Sequence, residues 1–195
     1  MNANTPVWYV GYGSNLSAAR FDCYLRGGVP LGGRRDYRGC RDRTPPRIDV
    51  PLWIDGSIYF AGRSVTWGGG MAFLDPDACG RVPARGYLIT AGQLSDVCAQ
   101  EMRRPVGSID LPVDTIVAHG RQVCGDGHYD LLLHLGDRPT DGPVDAPMLT
   151  FTSPRRLPST PPSQSYLDMI AAGLVETHGW SFERATAHLA AVVED

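Results

Sequence analysis

Apolar positions fall into many short runs before residue 153 and into helical spacing mainly after it. The first run, Val7-Trp8-Tyr9-Val10, is β-prone, and Gly11-Tyr12-Gly13-Ser14-Asn15-Leu16 follows it at once. This predicts a strand that stops abruptly in a tight, backbone-rich loop. Ser17-Ala18-Ala19-Arg20-Phe21 then begins a helical pattern, with Asn15 or Ser17 as its N-cap. A strand end, a small-residue loop and a helix start gather several backbone N–H groups in one place. Such a loop suits an anion or a developing oxyanion.

The remaining runs predict a list of elements. Ile48–Trp53 and Ser57–Ala61 flank Ile54-Asp55-Gly56, and Asp-Gly between apolar runs signals a hairpin. Thr66-Trp67-Gly68-Gly69-Gly70 precedes a short strand, Met71–Leu74; three successive glycines imply either close backbone approach or a flexible loop. Arg85–Ile89 reads as a strand. Thr90 and Gln93 then form a capping box for a helix running to about Arg104, where Pro105 stops it. Leu111–Ala118 and Tyr129–Leu135 read as a strand pair around Gly125-Asp126-Gly127, and Met148–Thr152 as a short strand. Residues 153–164, rich in proline, form a surface brace. Tyr166, Met169, Ile170, Gly173 and Leu174 recur at helical spacing up to His178-Gly179, and Ser181 caps a last helix to about Val193. Strands first and helices last make an α+β chain, not an alternating βαβ one.

Composition narrows the function. With 195 residues and 43% hydrophobic positions, the chain can build one globular domain spanning 1–195. No apolar run approaches the roughly 20 residues of a bilayer span, and Met1–Pro6 lacks the basic and apolar regions of a secretory leader. The five cysteines are odd in number and include no Cys-x-x-Cys pair, which argues against a disulfide framework or zinc ribbon and for a reducing cytoplasm. A net charge of −3 supplies no global field for nucleic acid or an anionic membrane. The chain has no lysine, all 18 basic residues being arginine, so a lysine Schiff base, a Ser–Lys dyad and a P-loop lysine are excluded. Six of these arginines fall between Arg34 and Arg47, where Asp36 and Asp42 interleave with them. A solvated face is the simpler reading of that stretch, and an acidic substrate is the alternative.

Leu94, Val97, Cys98 and Glu101 share one helical face. The three apolar members should pack inward, Cys98 as simple core, and Glu101 extends the stripe with a carboxylate. A carboxylate on a buried face is costly and its pKa is raised, which suits a general acid/base near neutral pH. Turning toward water or pairing with Arg103 or Arg104 is the plain alternative. His119, His128, His134, His178 and His188 show no metal-ligand spacing. Ser14 follows a strand in a sharp turn, as a nucleophile would, yet its surroundings are not Gly-x-Ser-x-Gly, and Leu16 stands where the dinucleotide pattern needs its third glycine.

Tyr12-Gly13-Ser14-Asn15-Leu16 resembles the signature of the γ-glutamylcyclotransferase-like family. Three later stretches are similar in order: Trp67-Gly68-Gly69-Gly70-Met71-Ala72; Gly86-Tyr87 with Leu94-x-x-Val97-x-x-Gln100-Glu101; and Pro162-Ser163-Gln164-Ser165-Tyr166 through Gly173 and Glu176. Two positions depart from the family pattern, Met102 where glycine commonly follows the glutamate and Gly68 where histidine is usual. The resemblance implies a small mixed β-barrel with surrounding helices and a metal-free, cofactor-free reaction. In it the α-amine of a γ-glutamyl group attacks its own γ-carbonyl and releases 5-oxoproline. Glu101 would move the protons, the Gly13–Asn15 backbone would hold substrate and oxyanion, and Tyr12, Leu16, Gly69 and Tyr166 would belong to the binding site. The implied partner is a small γ-glutamyl compound, with neither nucleic acid nor membrane. An amide hydrolase or deacylase on the same pocket, and a binding protein without turnover, are the rival readings.

Overall fold

A computed structural model describes residues 1–125, 127–137 and 143–194, the side chain of Glu194 excepted. In chain order the elements are β1 (Pro6–Gly11), a 3-10 turn (Ser14–Leu16), α1 (Ala18–Arg26), β2 (Asp49–Asp55), β3 (Ser57–Ala61), β4 (Met71–Asp75), β5 (Arg81–Thr90) and α2 (Ala91–Glu101). Then come α3 (Val113–His119), β6 (Arg121–Val123), β7 (Leu131–His134), β8 (Met148–Thr152), α4 (Gln164–His178) and α5 (Phe182–Glu194).

Six strands form one mixed sheet in the order β2-β5-β1-β8-β7-β6, and β3 pairs with β4 in a separate ribbon. The central strand β1 runs antiparallel to β5, with Tyr9 opposite Tyr87, and parallel to β8. Val7, Trp8 and Val10 have no exposed surface. A strand covered on both faces reads as a continuous apolar run, and this one does.

The barrel expected from the resemblance is not closed: β2 and β6 are free ends of the strand order. The same geometry removes the expected hairpin at Asp55-Gly56. Asp55 still pairs with Arg81 of β5, while Ser57 pairs with Asp75 of β4, so the chain changes sheets across one residue. Gly56 permits this with φ +118°, and an added Cβ would lie 2.5 Å from Asp75 O. The Asp-Gly signal thus marked a corner between two layers.

Two further expectations are corrected. Leu111–Ala118 is not a strand, because Val113–His119 is helical with Gly120 as its left-handed C-cap. Val113 and Ile116 lie three apart and are both buried, so helical burial outweighed the β-branched composition. The helix after Thr90 has its capping box, but it ends at Glu101, short of Arg104. Arg103 takes φ +57°, which turns the chain two residues before Pro105. Ser17 is the N-cap of α1, and Gly179 ends α4 in the left-handed conformation. Of the expected Gly125-Asp126-Gly127 turn, Asp126 lies outside the described residues. Among those described, no helix is long and apolar enough to cross a membrane.

Candidate active site

The loop that follows β1 is pinned from several sides. Tyr87 Oη donates to Asn15 O at 2.7 Å, and Asn15 Nδ2 donates to Tyr9 Oη at 2.8 Å. Arg85 Nη1 and Thr177 Oγ1 both donate to Leu16 O, at 3.1 and 3.0 Å. Tyr12 Oη donates to Phe151 O of β8 at 2.8 Å. Helix α4 presses on the loop at Gly173, where a Cβ would meet Leu16 Cβ at 2.5 Å. Tyr166 of the same helix accepts from the Ala72 amide at 3.2 Å, and a Cβ on Gly13 would lie 3.1 Å from its hydroxyl. Glycine at 13 therefore allows the phenol to sit against the loop.

Glu101 occupies the last position of α2, on the face whose earlier members Leu94, Val97 and Cys98 are wholly buried. The residue keeps some exposure, but its carboxyl group is enclosed. Burial raises its pKa above the ordinary carboxylate value, while Arg20, a hydrogen bond from Tyr24, Arg35 and Arg103 act in the opposite direction. Tyr24 Oη donates to Glu101 Oε1. Arg20 Nη2 donates to Tyr24 Oη at 2.9 Å and to Tyr37 Oη at 2.8 Å. A phenol has one proton, so accepting from Arg20 directs the Tyr24 proton to Oε1. The other carboxylate oxygen is the one left to exchange protons with a ligand.

Glu101 lines two cavities that share part of their walls, called inner and outer below. The inner one, of about 40 Å³, is lined by Tyr9, Tyr12, Gly13, Asn15 and Phe151 among others; Asn15 Oδ1 is buried and unpartnered among the described residues. The outer one, of about 60 Å³, is lined by Arg20, Tyr24, Arg35, Tyr37, Thr66 and Arg103 among others. Ser14, Glu101, Tyr129 and Tyr166 belong to both walls. The arrangement offers a proton carrier beside a backbone loop, which is what an acyl transfer at an amide requires.

Three solved structures share this architecture. Gamma-glutamyl cyclotransferase aligns with a TM-score of 0.56 at 18% identity, covering 92% of this chain and 84% of that one. An uncharacterized protein from Homo sapiens aligns at 0.55 and 17% identity, with the same coverage of 92% and 84%. YkqA from Bacillus subtilis aligns at 0.54 and 17% identity, covering 96% of this chain and 55% of that one. The fold is that of gamma-glutamyl cyclotransferase. A curated protein, histone deacetylase 5 of Arabidopsis thaliana, is 30% identical over 207 residues, covering 96% of this chain. The chain spans 31% of that relative's length. No family profile matches the chain.

Within this cyclotransferase-like fold, the residues singled out in the sequence divide. Glu101, Tyr12, Gly13, Ser14, Asn15 and Tyr166 line the two cavities. Leu16 and Gly69 are on neither wall. Leu16 is core, 1% exposed and packed under α4. At Gly69 a Cβ would lie 2.6 Å from Ser163 N, and at Gly70 one would lie 2.1 Å from Thr160 O. Gly69 and Gly70 thus serve a close approach to the proline-rich brace, whereas a Cβ on Gly68 would meet nothing within 4 Å. Of the Arg34–Arg47 stretch, Arg34, Arg38, Arg41 and Arg43 are exposed as a solvated face requires, Arg41 pairing with Asp96 at 3.0 Å, but Arg35 lines the outer cavity. Sequence reasoning passed over Arg20, Tyr24, Tyr37 and Tyr129. One signal was available: Arg20 and Tyr24 lie four apart, flanked by the inward Phe21 and Leu25 on the same amphipathic helix. Among the described residues, no three His, Cys, Asp or Glu side chains are grouped to hold a metal.

Proposed function

We propose that this protein cyclises a γ-glutamyl amide or peptide, releasing 5-oxoproline and the departing amine. The observation that carries the reading is the wall shared by Glu101 and the Gly13–Asn15 loop, with one small cavity between them. Attack of the substrate's own α-amine is unimolecular, so the protein has to fold the substrate, carry protons and stabilise charge on the reacting carbonyl oxygen. Glu101, through the oxygen not held by Tyr24, takes a proton from the α-ammonium. The free amine forms a bond to the γ-carbon, and the carbonyl oxygen takes the negative charge beside the loop backbone. As the amide C–N bond breaks, Glu101 returns the proton to the departing nitrogen; it then takes the second proton from the new ring nitrogen and passes it on, leaving a neutral lactam N–H and a departing ammonium. Asn15 Oδ1 is a natural acceptor for the ammonium before it reacts, and Tyr129 and Tyr166 exclude water from the shared wall.

Incubation with γ-glutamyl dipeptides and γ-glutamylamines, with chromatographic detection of 5-oxoproline, tests this reading. Turnover undiminished in Glu101→Gln would remove the assigned proton carrier. The name of the Arabidopsis relative favours a second reading, amide hydrolysis by water in the same pocket. Hydrolysis places oxygen from labelled water in the free acid product; cyclisation incorporates none.

A further inference from the structure

Arg85 lines neither cavity, yet it reaches the site loop by two routes. It stands on β5 opposite Gly11, buried, and its Nη1 donates to Leu16 O at 3.1 Å. Its central carbon lies 5.2 Å from the ring of Tyr87, the residue whose hydroxyl holds Asn15 O. The same Nη1 donates to Glu176 Oε1 at 2.6 Å, while Nε donates to Asp49 Oδ2 at 2.8 Å. Glu176, near the end of α4, uses its other oxygen to accept from Ala18 N at 3.3 Å. Ala18 is the first residue of α1, so this carboxylate answers a helix-start N–H at the positive end of the helix dipole. Arg85 and Glu176 thus grip the chain on both sides of Ser17. Before it lies the Gly13–Leu16 loop. After it runs α1, which carries Tyr24 to Glu101.

We propose that Arg85 and Glu176 are the positioning pair of the site: by fixing Leu16 O and Ala18 N from one ion pair, they set the substrate loop in register with the Tyr24–Glu101 contact. This rests on the cyclotransferase reading for the joint action of loop and carboxylate. A carboxylate has an oxygen for each donor, whereas the amide of glutamine has one acceptor, so Glu176→Gln releases either Arg85 or Ala18. Asp49 is the matched control. Its side chain is 45% exposed against 42% for Glu176, and it pairs with the same guanidinium, but through Nε and Nη2, the fork remote from Leu16.

The test compares Glu176→Gln and Asp49→Asn with the unmodified protein at equal folded concentration. Glu176→Gln is expected to lower kcat for γ-glutamylglycine by about 10- to 100-fold, the cost of a small misplacement of reacting groups, and Asp49→Asn to change it little. Burial raises the Glu101 pKa; Arg20 and Tyr24 from α1, and Arg35 and Arg103 from irregular segments, lower it. Only the α1 pair depends on Ala18, so Glu176→Gln should also move the acid limb of the kcat/KM profile to higher pH. Loss of stability alone moves no limb. Hydrogen exchange read by mass spectrometry should quicken over the loop and α1 in Glu176→Gln and match the parent in Asp49→Asn. Exchange that does not quicken there, an acid limb that does not move, or equal changes in the two variants would overturn the pair. Absence of 5-oxoproline from the unmodified protein would instead overturn the cyclotransferase reading, and hydrogen exchange alone would then decide the pair.

Discussion

Tyr9, Gly13 and Asn15 reach the inner cavity from β1 and the loop it runs into, a strand paired on both sides. Arg35, Thr66 and Arg103 reach the outer cavity from segments outside any helix or strand. Both walls carry aromatic rings; the inner one adds the Gly13–Asn15 loop and the outer one adds Arg20, Arg35 and Arg103. A strand locked between two neighbours cannot shift without breaking ladder hydrogen bonds, so the inner end is rigid. Irregular segments carry no ladder and can differ in sequence without loss of the sheet. The difference teaches that one end of the site is held by the central sheet, whereas part of the other is built on segments that the sheet does not constrain.

The largest expected effect comes from the residue between the two ends. Glu101→Gln should lower kcat by about 10²- to 10⁴-fold, the usual worth of a positioned acid/base, while leaving the substrate's affinity comparatively intact. Steady-state rates with γ-glutamylglycine and a binding titration separate the two. A strike on the scaffold of the inner end comes next. Gly173→Ala would push a Cβ against Leu16 and Ser17 N, at 2.5 and 2.7 Å. Overpacking of this kind costs about 1–3 kcal/mol, and the melting temperature should fall accordingly while activity drops through the displaced loop. Arg35→Gln at the outer end is the counterpart. It should change substrate preference and leave the melting temperature nearly unchanged. Equal effects of both changes on stability and preference would erase the distinction between the ends.

Tyr24→Phe sharpens the comparison at the boundary. The tyrosine proton favours the ionised form of Glu101 against burial, which is the stronger influence. Its loss moves the acid limb of the kcat/KM profile to higher pH and lowers the rate about tenfold on that limb. A pH profile that does not move would show that Tyr24 merely fills space. The smallest effect is on stability. The pKa of Glu101 is raised in the folded protein, so its contribution is present below the ordinary carboxylate value and is lost as pH rises through the folded value. Glu101→Gln has no such group to ionise. The melting temperature of the variant relative to the parent should therefore rise from pH 4 to pH 8, as read by calorimetry at both.

Much of the inner end was legible in the chain. Val7–Val10 announced a buried strand because every position is apolar, and the residues after it could form only a loop. Glu101 stood out because it continues the face of three inward neighbours, although turning toward water remained open to it. The outer end was not legible for the opposite reason. Arg35 sits among exposed arginines that look the same in sequence, and nothing local separates the one that faces a cavity. Arg20 was hidden because a charged residue on a helix is ordinarily solvated, and it is distant Tyr37 and Glu101, with Tyr24, that favour its buried charge. Asp55-Gly56 shows the same limit in the backbone, since a glycine at a positive φ serves a hairpin or a corner equally well.

By itself, the sequence determined the α+β character, the first strand with the loop that follows it through Leu16, the capping box at Thr90 and a glutamate in line with an apolar helical face. Each depends on periodicity or on a contact within a few residues. The tertiary structure alone decided that the sheet stays open, that Leu16 and Gly69 pack outside the cavities, and that Arg20, 81 residues before Glu101, shares a wall with it. Those outcomes depend on which distant surfaces meet, and the energy of that meeting is written in no single stretch of the chain.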